Sequence, residues 1–202
     1  TFDQLVGDSI QYGADQSTVQ TIPGKRSFST ALCSNHVMRS GRHFAVFTKL
    51  ADVGENIAVV RPLQINRSDL DDGLRNFCPI VIRSRYWEYL RSQQTDRWND
   101  SNVHCCAVNI IGFFSSDWTR NAESTRIEDF QRDFPFALLL DLDDGTLSLY
   151  QNGRSLGVLK DGLSGEYCWY ARVLEKSVTI KRGLAPTNES LWSACPSKSH
   201  EV

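Results

Sequence analysis

The segment at residues 136–160, FALLLDLDDGTLSLYQNGRSLGVLK, constrains the fold more than any other part of this chain. Short runs of apolar, aromatic and β-branched residues are separated in it by Asp144-Gly145 and Asn152-Gly153. Both pairs tolerate the positive φ angles that tight hairpin turns require. The pattern therefore predicts three consecutive antiparallel strands joined by short turns, which form a β-meander.

Further strands are predicted from similar runs bounded by Gly, Asp, Asn or Ser, and no long window has the periodicity of an amphipathic helix. These runs cover residues 44–49, 57–61, 107–114, 169–174 and 177–181. A single twisted sheet of this many strands would leave one apolar face in water, so we expect two packed sheets. The predicted fold class is all-β, an antiparallel two-sheet β-sandwich.

Length, composition and charge exclude several classes of protein. The 202 residues fit one domain, and 41% hydrophobic residues with five Trp can form a sizeable core. The 22 Lys and Arg against 24 Asp and Glu give a net charge of −2, which provides no broad positive field for nucleic acid or an anionic membrane. The longest apolar run, residues 136–140, is far shorter than the roughly 20 residues that span a bilayer.

The six cysteines contain no CxxC motif, and no apolar signal segment begins the chain. We therefore expect reduced thiols, several of them buried, in an intracellular protein of the cytoplasm or nucleus. No zinc framework and no cofactor are expected. The cysteines are at positions 33, 78, 105, 106, 168 and 195.

The ends of the predicted domain are set by composition. We expect one β-sandwich domain at residues 1–185 and a poorly ordered tail at 186–202, because Pro and Ser are frequent after Gly183. The polar stretch at 62–104 is predicted to form long irregular loops, with a short helix around 87–90. Long connections in a compact domain are more often functional than idle.

Two separated segments resemble the SPRY domain family. LCSNHVMRSGRHFAVF (32–47) resembles the step from Ser-Gly-Arg-His into a strand, and LLLDLDDGTLSLYQNGRSLGVLKDGLSGEYCWYARV (138–173) resembles the second half of the domain. SVTI (177–180) continues the match. GENIAVVRP (54–62) is similar to a further strand of the family, but Val59 stands where the family has Gly.

The resemblance implies a bent, concanavalin-like sandwich of two antiparallel sheets. It also implies a non-catalytic module whose loops at one end form a shallow surface for a protein or peptide. In that family the domain is usually one part of a larger multidomain protein, often beside ubiquitin-ligase, ankyrin or channel modules.

Aromatic and charged residues beside predicted strand ends are the candidates for contacting a partner. Binding sites favour Trp, Tyr and Arg, which supply large buried areas together with a polar group. Trp169, inside a predicted strand, is instead expected in the core. The candidates are Trp118, Arg120, Tyr167, Arg172 and Leu174.

Two other functions are compatible with parts of the sequence. Lectins share the sandwich architecture, so a carbohydrate-binding module is an alternative. Residues 153–157 match GxSxG, the nucleophile motif of α/β hydrolases, but that motif requires a strand that turns into a helix. The predicted hairpin at Asn152-Gly153 makes catalysis by Ser155 the least favoured hypothesis.

Two clusters have side chains that bind metals elsewhere. Asp141, Asp143 and Asp144 precede Gly145, but the spacing differs from that of a calcium loop, so a solvated turn is favoured. The segment 104–106, His-Cys-Cys, is predicted to lie in a strand, where neighbouring side chains point to opposite faces and do not share a metal.

His43, next to Arg42, is a possible acid or base by residue type alone. No acidic or nucleophilic residue stands near it in sequence, and general-base catalysis needs a partner within hydrogen-bonding reach. We therefore predict a structural His that holds the turn before its strand.

Overall fold

The computed structural model describes residues 1–48, 56–65, 92–98, 101, 103–116, 124–132 and 134–184. Within these ranges fourteen strands pair into two antiparallel sheets of seven strands each. Asp96–Trp98 form a 3-10 helix. The predicted all-β, two-sheet antiparallel sandwich is confirmed.

We name the sheets A and B and number the strands in chain order. In spatial order, sheet A contains β1 (Gln4–Val6), β4 (Ser29–Leu32), β13 (Cys168–Val173), β6 (Asn56–Val60), β7 (Cys105–Asn109), β8 (Phe113–Ser116) and β9 (Ser124–Arg126). Sheet B contains β12 (Arg154–Lys160), β11 (Thr146–Gln151), β10 (Phe136–Asp141), β5 (Arg42–Thr48), β14 (Ser177–Arg182), β3 (Thr18–Thr21) and β2 (Ile10–Tyr12).

The predicted meander is confirmed as β10, β11 and β12. The first hairpin pairs Asp141 with Thr146, and its turn places Gly145 at a φ of 66°. The second turn places Asn152 at 53° and Gly153 at 75°. Gly145 of the first pair and both residues of the second therefore adopt the left-handed backbone that suits them.

The prediction of one strand at 107–114 is wrong, because β7 ends at Asn109 and β8 begins at Phe113. The Asn109 side chain accepts hydrogen bonds from the backbone N–H groups of Ile111 (3.2 Å) and Phe113 (2.8 Å). Gly112 then takes a φ of 84°. An Asn that bonds the backbone ahead of it, followed by Gly, reverses the chain despite the apolar residues around it.

The four strands within residues 1–32 and β9 were not predicted. Each has only three or four residues, which is too few for an alternating pattern to be recognised. They extend both sheets by pairing with strands that were predicted, such as β13 and β14.

The main core lies between the two sheets. Phe136, Leu138 and Leu140 enter it from β10, and Trp169 enters it from β13. Trp169 is 4% exposed and meets Phe47 edge to face, with ring centroids 5.8 Å apart. The prediction that Trp169 belongs to the core is confirmed.

A second apolar cluster covers the outer face of sheet A. Tyr170 of β13 and Val60 of β6 point outward there and are fully buried. Leu63, Ile65 and Trp98, from the connection between β6 and β7, pack on them. Part of the stretch predicted as irregular loops therefore closes a face of the sandwich, while the helix predicted around 87–90 lies outside the described residues.

Four described cysteines are buried, as the sequence predicted for several of the six: Cys33, Cys105, Cys106 and Cys168. Cys105 belongs to the outer cluster on sheet A and Cys106 to the core between the sheets. The prediction that neighbours in this strand point to opposite faces is confirmed. Cys78 and Cys195 lie outside the described residues.

Candidate functional site

The outer face of sheet B is apolar along its central strand. In β10, Ala137 and Leu139 alternate with the residues that enter the core, and they belong to neither of the two apolar clusters. Because side chains alternate between the two faces of a sheet, both point away from sheet A. Neighbouring side chains leave them only 6% and 5% exposed.

Three larger side chains flank these two residues. Leu139 pairs with Phe44 of β5, and Ala137 pairs with Val46 of β5 and with Tyr150 of β11. Phe44 and Tyr150 meet edge to face across β10, with ring centroids 5.5 Å apart. All three are half-buried. We call these five residues the sheet B face.

An open pocket of about 350 Å³ lies over one end of the sheet B face. Its walls include Pro135 and Leu184, of which Leu184 is 95% exposed. Phe134, next to Pro135, is 51% exposed. Large apolar side chains at such exposure, beside an apolar floor, are typical of interaction surfaces.

Gly183 shapes the floor of this pocket. Its N–H donates a hydrogen bond of 3.1 Å to the Phe44 carbonyl, so the chain stays beside β5 past the end of β14. A Cβ at position 183 would lie 2.6 Å from Phe44 Cδ1 and 3.0 Å from Val46 Cγ2. The Phe44 ring therefore rests directly on the backbone of Gly183, which only the absence of a side chain permits.

The predicted acidic turn borders the sheet B face at the other end of β10. Asp141 accepts hydrogen bonds from the backbone N–H groups of Asp143 and Asp144, both 3.1 Å, and its other oxygen lies 3.2 Å from Arg42 Nε. Asp143 accepts a 2.8 Å bond from the Gly41 N–H. The turn predicted here is confirmed, but the expectation that its carboxylates stay in water is wrong for Asp141, which is 8% exposed because it bonds the backbone of the turn and Arg42.

The hydrogen bonds of Ser155 and His43 hold the backbone close to each residue. Ser155 lies inside β12 and is followed by strand, so the strand-to-helix turn of a nucleophile elbow is not present at this serine. Its hydroxyl accepts a 3.2 Å bond from the Gly157 N–H. His43 Nε2 lies 2.9 Å from the Ser40 carbonyl, which confirms the predicted contact with the preceding turn.

Tyr167 is not available to a partner, which corrects its place among the predicted binding residues. Its side chain is fully buried, its hydroxyl donates a 2.8 Å hydrogen bond to the Val103 carbonyl, and the Arg61 guanidinium lies 4.1 Å from its ring centroid. Burial raises the pKa of the Tyr167 phenol to about 12. The alternation of residues beside the predicted strand at 169–174 did not show whether the Tyr167 side chain points into the protein or toward solvent.

Arg172 and Leu174 lie on or beside sheet A, away from the sheet B face. The Arg172 guanidinium lies 3.6 Å from the Phe28 ring centroid, and its Nε is buried without a hydrogen-bond partner. The Leu174 carbonyl accepts a 2.9 Å bond from the Thr21 hydroxyl. Trp118 and Arg120 lie outside the described residues.

The residues of the sheet B face were not predicted as a site. Their signal was present, because both sets of alternating positions in 136–140 and 44–47 are apolar or aromatic. Strands that are apolar on both sides usually lie in sheets whose two faces are both covered. The sequence of the strand does not show whether a covering segment is present, so it could not identify this face as an accessible surface.

Comparisons with known proteins agree with this architecture. No protein-family model and no curated protein sequence matches the chain. Two solved structures match at 92% of its length: the SPRY domain of human HERC1 (TM-score 0.58, 13% identity, all of that chain) and the TRIM65 PSpry domain (TM-score 0.55, 14% identity, 90% of that chain). Among the helices of the described residues, none has the length and apolar character to cross a bilayer. The chain has a SPRY-like β-sandwich fold.

Proposed function

We propose that this chain is a non-catalytic protein-interaction module that binds a peptide or a folded partner on the sheet B face. The observation that carries the proposal is the apolar floor formed by Phe44, Val46 and Tyr150 on a sheet face that no cluster of described residues covers. Contiguous apolar surface of this kind is costly in water and marks sites of association.

The geometry favours binding by a preformed surface. Phe44 and Tyr150 are held on the two strands that flank β10 and contact each other across it, so few rotamers have to be ordered when a partner arrives. Binding by such a surface loses little conformational entropy. Tyr150 also combines a large ring with a hydroxyl, a combination that is frequent at interface hot spots.

The proposal differs from the loop-based surface that the sequence suggested. Tyr167 is buried, while Arg172 and Leu174 lie on the side of sheet A. We therefore place the contact on the face of sheet B and its bordering turns, and keep the class of partner, a peptide or protein in the cytoplasm or nucleus.

Site-specific photo-crosslinking in cells tests the proposal. A benzophenone amino acid at Val158, which is 62% exposed and pairs with Ser148 beside Leu139, should crosslink a protein partner. The same group at Ser124, exposed in β9 of sheet A, is the matched control and should not capture that partner. Tyr150→Ala should reduce the crosslink at Val158 at least tenfold while the domain remains folded.

Three results would reject this proposal. Equal capture from both positions, or capture that Tyr150→Ala does not reduce, would place the contact elsewhere. Binding to glycans that depends on the same tyrosine, with no protein captured, would support the carbohydrate-binding alternative instead.

A further inference from the structure

Two basic side chains point into the space between the sheets at one end of the sandwich. On β5, Phe47 and Ala45 face the core, and the next residue on that face is His43. On β14, Ile180 faces the core, and the next residue on that face is Arg182. The alternation of side chains therefore places the His43 imidazole and the Arg182 guanidinium on the inner face of sheet B, next to apolar residues of the core.

These side chains border a cleft of about 440 Å³ that opens between the sheets. Trp169 and Cys33 line it from the side of sheet A, and Ala45 and Ile180 line it from sheet B. Its size falls within the range of small-ligand pockets, roughly 300–1,000 Å³. We call this cleft the interlayer mouth.

His36 adds a second imidazole to the mouth. Its ring lies edge to face against that of His43, with centroids 6.1 Å apart. Partial burial, and then the charges of His43, of the amino group at Thr1 and of Arg182, lower the pKa of His36. Asp3 opposes them. The positive groups are therefore close enough to repel one another when nothing negative lies between them.

The acidic groups nearest to these residues already have partners. Asp3 accepts hydrogen bonds from the backbone N–H groups of Ser34 and Asn35, both 2.9 Å. Arg42, at the edge of the mouth, pairs with Asp141 on the outer side of sheet B. None of the described residues that line the cleft is acidic. The mouth thus combines a net positive rim with an apolar floor.

We infer that the interlayer mouth binds a carboxylate attached to an apolar group. The apolar group lies against Trp169 and Ile180, and the carboxylate lies among Arg182, His36 and His43. His43 Nε2 lies 2.9 Å from the Ser40 carbonyl, so Nδ1 is the ring nitrogen that this contact does not use. A charge-assisted hydrogen bond to a guanidinium or imidazolium is about twice as strong as a neutral one, so the carboxylate provides most of the selectivity.

This site shares Phe44 and Leu184 with the pocket over the sheet B face, but its basic residues and the floor formed by Trp169 and Ile180 line the interlayer mouth and not that pocket. A carboxylate attached to an aromatic group occurs in free aryl-substituted carboxylic acids and at the C-terminus of a peptide whose last residue is aromatic. Inorganic phosphate lacks the apolar part that the floor requires. Only the peptide has an amide group next to the carbon that bears the carboxylate, and the experiment uses this difference to distinguish the two ligands.

Calorimetric titration of the full chain with 3-phenylpropionate tests the inference, with 3-phenylpropionamide as the neutral control. We expect the acid to bind and the amide to bind at least tenfold more weakly. N-acetyl-Ala-Phe, titrated in parallel, decides the source: tighter binding than 3-phenylpropionate identifies a peptide C-terminus, and weaker binding identifies a free acid. Absence of binding by both acids at millimolar concentration, or equal binding of acid and amide, would overturn the inference.

Neighbouring basic residues on β14 provide a matched pair of variants. Arg182→Gln should weaken binding of the acid roughly ten- to hundredfold, whereas Lys181→Gln, on the opposite face of the same strand, should change it less than twofold. Tyr150→Ala should also leave it unchanged, which separates this site from the sheet B face. An equal loss in the Arg182 and Lys181 variants would indicate a diffuse charge effect and reject the site.

Affinity should also depend on pH. A bound carboxylate stabilises the imidazolium form of His36, so affinity for the acid should rise as pH falls from 8 to about 6. Replacing His36 and His43 by Gln should remove that rise. A pH dependence that survives the double replacement would exclude the imidazoles from the site.

Discussion

The outer faces of the two sheets are both apolar, but the described residues close only that of sheet A. On sheet A, Tyr170 and Val60 are fully buried beneath Leu63 and Trp98. On sheet B, Tyr150 remains half-buried and borders an open pocket. Strands with apolar side chains on both faces therefore form a second core on the outside of sheet A and an accessible surface on the outside of sheet B. The connection between β6 and β7, which packs on sheet A, makes the difference.

Arg61 holds that connection in place. It is fully buried, and its guanidinium donates hydrogen bonds to the carbonyls of Ser164 (2.8 Å), Glu166 (3.0 Å) and Ser101 (3.0 Å). It also lies 5.6 Å from the ring centroid of Trp98. Hydrogen bonds from both terminal nitrogens of the guanidinium offset much of the cost of burying its charge. One residue thus joins the cover of sheet A to the loops before β7 and β13.

The largest expected difference between the two faces is in thiol reactivity. Burial raises the pKa of the Cys168 thiol, which lies under the cover of sheet A. At pH 8 it should stay protonated and react with iodoacetamide at least hundredfold more slowly than a cysteine introduced by Val46→Cys on the sheet B face. Because its pKa is raised, its reactivity should grow as pH increases.

Peptide-level mass spectrometry of the native protein measures both rates in one sample, and urea-unfolded protein provides the control in which the rates converge. Burial also raises the pKa of Cys33 to about 12, so this residue should be slow as well. Similar native rates at 168 and 46 would show that the two faces are equally open.

Truncating one aromatic residue on each face should separate them in stability. Trp98→Ala removes a buried side chain from the cover and should lower the free energy of unfolding by about 3–5 kcal/mol. Tyr150→Ala removes a half-buried ring and its contact with Phe44, and should cost roughly 1–2 kcal/mol. Urea denaturation of the two variants measures both values. Equal losses would mean that Tyr150 is as enclosed as Trp98.

The smallest expected effect is at Gly183. Gly183→Ala places a methyl group against the Phe44 ring and should destabilise the domain by about 1 kcal/mol, because the ring can move toward solvent. The variant should still weaken partner binding, since the floor of the pocket changes shape. Phe44→Leu in the same chain should recover part of the stability, as measured in a double-mutant cycle. Additive losses of stability would show that the residues at positions 44 and 183 do not interact.

Much of the central part of the fold was predictable from local chemistry. Asp144-Gly145 and Asn152-Gly153 predicted the meander because their backbone preference does not depend on distant contacts. The break after Asn109 was missed, although the same chemistry operates there, because apolar residues on both sides concealed it. The short strands of the first 32 residues were missed because they are stable only when paired with distant partners.

The candidate site was less predictable than the fold. Tyr167 and Tyr150 both stand at or beside strands among apolar neighbours, yet one is buried under Arg61 and the other faces a pocket. The sequence analysis selected Tyr167 as a binding residue and did not select Tyr150. His43 and Arg182 were likewise distant in sequence, and only the pairing of β5 with β14 brings them to one mouth.

The sequence alone determined where strands alternate and where the chain turns, because these depend on side-chain size and backbone preference within a few residues. The tertiary structure decided which sheet face is covered, which tyrosine is accessible and which basic residues meet. Those outcomes depend on how segments far apart in the chain pack together, and packing energy is shared among contacts that no local pattern records.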